Sequence, residues 1–167
     1  MRFYSNKIAS MFLSCIFFTT LILVNSTSLM SKMKLKTKTA SLTVNSVSLV
    51  FNDREIPIFE NGAISSNLKL KEGETYKTKI VFSVYNEIIS GLRYHEVISR
   101  KGVNVDKNSY MIGSYSPKEN HVYETPSDEL PKGMLSRGTY KNNLKIIDDD
   151  KNVHKDLEYS FTIEKDW

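Results

Sequence analysis

The sequence predicts an all-β sandwich or barrel, and three observations carry that expectation. Apolar and polar residues alternate at period two, most cleanly where Leu157, Tyr159, Phe161 and Ile163 interleave with Glu158, Ser160, Thr162 and Glu164. Gly, Pro and Asn-rich turn signals break the chain at short intervals. No segment after Ser31 holds a helical period; one turn at Asn86 to Gly91 is the only weak candidate.

The elements follow in order from Leu42. Leu42 to Val44 and Val47 to Phe51 alternate, but the apolar parity shifts between Val44 and Val47, which predicts a bulge or bend. Asn52 to Arg54 is a turn. Ile56 to Phe59 is short and contains Pro57, which predicts an edge strand. Asn61-Gly62 is a turn signal. Leu68 to Leu70 precedes a turn at Lys71 to Glu74. Tyr76, Ile80, Phe82 and Val84 then share one strand face, with Lys77, Lys79 and Ser83 on the other.

Asn86 to Gly91 reads as a loop carrying an apolar pair, and Leu92 to Ser99 as the next strand, turned at Arg100 to Gly102. A strand runs through Tyr110 to Ile112 and Tyr115. Ser116 to Lys132, with Pro117, Pro126 and Pro131, reads as a polar loop. Met134-Leu135 and Thr139-Tyr140 are placed on a strand continuing toward Ile147. Asp148 to Asn152 is an acidic turn before the last strand. About eight short strands with turns between them fit a sandwich or barrel.

The totals narrow the function classes. The 167 residues suffice for one domain. Aromatic residues are 11% of the chain, nine of them Tyr, which suits strands. The net charge of +4 comes without a recognition helix or stacking signature, so no nucleic-acid partner is expected. His95, His121 and His154 lack a second histidine or a cysteine at ligand spacing, so no zinc or copper site is expected. There is no nucleophile elbow, P-loop or dinucleotide fingerprint. Asp148 to Asp150 lacks the glycine and terminal glutamate of an EF-hand and reads as a solvated turn. The reading is a binding protein, not an enzyme, with no cofactor.

The first residues stand apart. Arg2 and Lys7 precede an apolar run from Met11 to Val24, which holds Cys15, the single cysteine. Three readings stay open. A signal peptide has this layout, and Asn25-Ser-Thr is then a glycosylation sequon near the new N-terminus. A membrane anchor fits the uncharged stretch from Ile8 to Ser31, with Lys32, Lys34, Lys36 and Lys38 marking its cytoplasmic side. Otherwise the run is not part of the working protein, as from a wrongly chosen start. The domains are therefore 1–31, an apolar leader outside the core; 32–41, a basic linker; and 42–167, the sandwich.

From about Leu42 to Trp167 the chain resembles the Rho GDP-dissociation inhibitors. The blocks that carry the resemblance are Leu70 to Gly73, Ile88 to Tyr94, Arg100 to Val103, Asp106-Lys107, Tyr110 to Tyr115, Pro131 to Gly138, Asp148 to Lys151 and Thr162 to Trp167. The resemblance implies an immunoglobulin-like β-sandwich with a lipid pocket between its sheets. It implies partners as well: prenylated Rho-family GTPases (Rho, Rac or Cdc42 type) in the GDP form, met transiently at a membrane. The protein would sequester the geranylgeranyl group, extract the GTPase from the membrane and slow GDP release. The implied location is cytoplasmic, or membrane-anchored or secreted if the leader is used.

By matched position the resemblance assigns Leu49, Leu68, Ile88, Tyr110, Leu135 and Tyr159 to the lipid pocket, and Asp106 and Asp150 to the GTPase contact. Leu157 and Tyr159 stand where tryptophan is common, and Asn142 where an apolar pocket residue is expected. The preference between fifteen- and twenty-carbon lipids is therefore open. Family members carry an acidic arm before the sandwich, whose place is taken here by the leader and Lys32 to Lys38. All 19 acidic residues follow Ser31, the first being Asp53. The expectation is lipid binding with membrane extraction impaired and inhibition of GDP release weak. The alternatives are a prenyl-lipid carrier with little or no such inhibition, and a secreted or tethered sandwich that has lost the role.

Overall fold

The computed structural model describes residues 39–167; the leader and Lys32 to Lys38 of the linker lie outside the described residues. Strands account for most of the described chain, and no α-helix occurs among those residues. They are β1 (Ser41–Val50), β2 (Glu55–Glu60), β3 (Ala63–Ile64), β4 (Leu68–Lys71), β5 (Thr75–Tyr85), β6 (Ile89–Arg100), β7 (Val103–Tyr115), β8 (Lys118–Glu124), β9 (Asp128–Glu129), β10 (Gly138–Ile147) and β11 (Val153–Glu164), with one 3-10 turn at Met134–Ser136.

Two sheets face each other. One runs β3-β2-β1-β5-β8, with β9 also pairing β5, and the other runs β4-β11-β10-β6-β7. All pairings are antiparallel except β4 with β11. The alternating apolar residues of β5, β10 and β11 point inward and form the core with Val44, Val47 and Leu49. The register of β1 against β5 shifts between Val44 and Ser46, where the sequence parity shifts. Asn61 and Gly62 both take positive φ (52° and 84°), the geometry of a tight hairpin turn.

Four expectations are corrected. Ile56 to Phe59 is not an outermost strand, because β3 pairs beyond it. Pro57, which has no N–H to donate, instead lies where the β1–β2 register slips, between Val47 and Ser48. Ile89 to Gly91 is not loop but the start of β6. The stretch from Ser116 to Lys132 contains β8 and β9. Those strands escaped notice because β8 is an edge strand with little buried on either face, so it has no apolar alternation to read. Met134 and Leu135 are not on a strand; β10 starts at Gly138, after the 3-10 turn.

Strand direction gives the sandwich two unlike ends. The β5–β6 and β10–β11 turns, Asn86 to Ile88 and Asp148 to Asn152, sit at one end. The β4–β5 and β6–β7 turns and the start of β10 sit at the other.

Candidate functional site

At the second end the sheets part around a cavity of about 350 Å³. Its walls are Tyr76 from β5, Ile98 from β6, Tyr140 from β10, and Phe161 and Ile163 from β11. Leu130 and Pro131 flank the opening, and Arg100, Asp106, Asp128 and Glu129 add charge to the lining. Tyr140 and Phe161 stack nearly parallel, with centroids 5.4 Å apart. The wall is thus aromatic and aliphatic, and the ring of charge includes three carboxylates and one guanidinium.

One inward position deeper, the wall turns polar. Glu96 precedes Ile98 on β6, Asn142 follows Tyr140 on β10, and Tyr159 precedes Phe161 on β11; all three are buried. Asn142 Nδ2 donates to Glu96 Oε1 and to Tyr159 Oη, the latter at 2.7 Å. No Lys, Arg or His pairs with Glu96 among the described residues. Burial raises the Glu96 carboxyl above its ordinary range, and hydrogen bonds from its neighbours offset this only in part. Burial likewise pushes the Tyr159 and Tyr94 hydroxyls well up. Asn142 Oδ1 and Tyr94 Oη are buried with no hydrogen-bond partner in reach among the described residues.

Three sequence blocks hold the cavity end together. Arg100 Nη2 and Nη1 donate to the carbonyls of Arg137 (2.6 Å) and Leu135. Tyr140 Oη donates to the carbonyl of Ser136 at 2.6 Å. Arg137 grips Glu72 through Nε (3.0 Å) and Nη2 (2.8 Å), while Gly133 N donates to Glu72 Oε2 at 3.0 Å. The Arg137 hydrogen bonds hold the Glu72 carboxyl below its ordinary range. At the C-terminus Trp167 stands edge-on to Phe51 at 5.0 Å, under the Arg54 guanidinium.

A fourth lock closes the opposite end. Gly91 has φ +63°, and a Cβ there would fall 1.9 Å from the Asp149 carboxylate. Asp149 N also donates to the Ser90 carbonyl at 3.3 Å. The Ser-Gly of one block and the Asp-Asp-Asp of another thus interlock. Asp148 accepts from Asn152 and meets His154 Nε2 at 2.8 Å.

The eight residues assigned by resemblance fall into separate places. Leu49, Leu68 and Tyr159 are buried in the core and do not line the cavity. Tyr110 is half-buried, stacked on Tyr94 at 6.0 Å, and borders a small void beside Glu96. Leu135 is 88% exposed on the 3-10 turn beside the opening. Ile88 is 62% exposed at the far end, because the β5–β6 turn points it outward and Ile89 takes the inward place. It lines a surface groove there with Asp150, well away from the cavity. Asp106 is the one assigned residue that lines the cavity itself, so the two assigned carboxylates sit at opposite ends. The missed wall residues, Tyr76, Ile98, Tyr140, Phe161 and Ile163, had a signal in their inward parity. Parity names a face and not the end of the sandwich where the sheets separate.

Comparison with known proteins agrees with the sequence blocks. A family model described as RHO protein GDP dissociation inhibitor matches residues 22–166. Rho GDP-dissociation inhibitor 1 of Homo sapiens is 50% identical over 99 residues, 59% of this chain and 48% of that protein. The Rho GDP-dissociation inhibitor of Schizosaccharomyces pombe is 46% identical over 99 residues, again 59% of this chain and 48% of the relative. A probable rho GDP-dissociation inhibitor of Caenorhabditis elegans is 39% identical over 130 residues, 74% of this chain and 68% of the relative. The chain spans about half the length of the first two.

Proposed function

The chain belongs to the Rho GDP-dissociation inhibitor family, and from that premise we propose that it binds prenylated Rho-family GTPases, takes the lipid between its two sheets, and keeps the GDP-bound complex in the cytoplasm. The observation that carries this reading is the cavity between the sheets, with its aromatic and aliphatic wall. A long isoprenoid chain in water costs roughly 0.8 kcal/mol per CH₂. The cavity does not outbid a bilayer on that term, since both bury the chain. It brings the exchange close to neutral, and protein–protein contacts then decide the direction.

Asp106, Asp128 and Glu129 at the opening favour a partner surface bearing Lys or Arg next to the lipid, chiefly through orientation and encounter rate. Asp106 fits that role by position. Asp150 sits a sandwich-length away and engages only a partner that runs along the whole side. Leu49, Leu68 and Tyr159 back the wall from the interior, with Tyr110 at their flank. Leu135 lies where it folds onto the lipid at the opening.

Two measurements test the reading on the full chain. Release of fluorescent GDP from a geranylgeranylated Rho protein should slow when the chain is added, and the GTPase should leave liposomes for the supernatant. Release into solution without slower GDP loss reduces the activity to lipid carriage. No effect on either sinks the proposal.

A further inference from the structure

Resting on the lipid-binding reading, we propose that this cavity accepts a fifteen-carbon isoprenoid about as well as a twenty-carbon one, because Glu96, Asn142 and Tyr159 close its inner end with polar groups. Three adjacent strands repeat one pattern. Ile98, Tyr140 and Phe161 line the cavity, and the next inward residue on each strand is Glu96, Asn142 or Tyr159. Two residues along a strand advance the wall by ~6.6 Å, so the apolar surface ends one step inside the opening. Behind the polar step, Leu144, Leu157, Tyr94 and Ile146 are each no more than 2% exposed, so no free depth follows.

A longer lipid therefore gains little. In a wholly apolar pocket each further methylene is worth roughly fourfold in affinity, and five more carbons about a thousandfold. Here those carbons would meet the polar step of Glu96, Asn142 and Tyr159 and, behind it, side chains that are already packed. The apolar contact that would supply the gain is therefore missing. The specificity-setting residues are Asn142 and Glu96, since Tyr159 presents both a ring and a hydroxyl.

The test titrates the full chain with fluorophore-labelled cysteine peptides bearing a farnesyl or a geranylgeranyl group. The two dissociation constants should agree within about tenfold. A triple variant, Glu96→Leu with Asn142→Leu and Tyr159→Phe, removes the three hydrogen-bonded polar groups together so that none of them is left buried alone. It should shift the ratio toward the longer lipid by about tenfold or more, with folding checked by circular dichroism. A preference for the longer lipid of about a hundredfold or more in the unaltered chain overturns the inference even if the variant does not fold. So does a folded variant with an unmoved ratio. Both outcomes leave lipid binding standing. Failure to bind either peptide overturns the lipid-binding reading, and this inference with it.

Discussion

Around Phe82, Leu92 and Ile146 the two inner faces meet as continuous apolar layers, whereas around Tyr140 and Phe161 they part and a polar step follows. The first region is closed: Phe82 and Ile146 are 1% exposed and Leu92 is fully buried. Its turns are locked by Gly91 against Asp149. The second has the cavity, and it is held shut from outside by the Arg100, Glu72 and Arg137 network rather than by interior packing. Stability is thus concentrated at one end, and room for a ligand at the other. Clamping the periphery lets the interior stay open without the sheets collapsing onto each other.

The largest test of that contrast compares two phenylalanines. Phe82→Ala should lower unfolding stability by ~3–5 kcal/mol, because a filled site becomes a void. Phe161→Ala should cost less, ~3 kcal/mol or below, since its ring already borders empty volume. Its lipid affinity should fall roughly tenfold, where Phe82→Ala leaves folded molecules binding normally. Equal denaturation losses for the two would show that the ends do not differ.

A middle-sized effect is expected at the lock of the closed end. Gly91→Ala forces a side chain into a left-handed conformation and against Asp149, and should cost ~1–3 kcal/mol. Hydrogen exchange should speed at the start of β6 and in the Asp148 to Asn152 turn, and not at Leu135 to Arg137. Exchange rising first at the cavity end would break the picture of two separately held ends.

The smallest effect concerns pH. Burial raises the folded-state value of Glu96 above the ordinary 4.5, so the folded state prefers it protonated. Its contribution is fully present below the unfolded value and is lost as pH rises through the folded value. Glu96→Gln removes that loss. The stability difference, variant minus unaltered chain, should therefore grow with pH above about 4.5 and then level off. Asp148 acts with the opposite sign: burial alone would raise it, but its bonds from Asn152 and His154 win and lower it, so its contribution is lost on acidification. Taking the difference between chains cancels that slope. A difference that stays flat from about pH 4 to 8 would show that Glu96 is not held in a desolvated site.

How much was legible differs between the two ends. The closed end was readable because its residues obey one rule, apolar inward at every second position; Ile80, Phe82 and Val84 fell where their parity put them. The exception was Ile88, whose place in a turn freed it from that alternation. The cavity end was hidden. Tyr76, Tyr140 and Phe161 look the same in sequence as core residues, and Glu96 and Asn142 look like outward ones. Leu135 was assigned to the pocket by its matched block, yet sits exposed on a 3-10 turn that no periodicity marks.

By itself the sequence determined the β class, the inward faces of β5 and β11, the bulge near Ser46, the tight turn at Asn61-Gly62 and, through its blocks, the family. These depend on neighbours along the chain, where period-two geometry and φ preferences act. Only the tertiary structure decided where the sheets separate, that Arg100 and Arg137 serve as clamps, and that Glu96, Asn142 and Tyr159 meet. Those facts depend on pairings across strands far apart in sequence, and a cavity belongs to the space between residues rather than to any one of them.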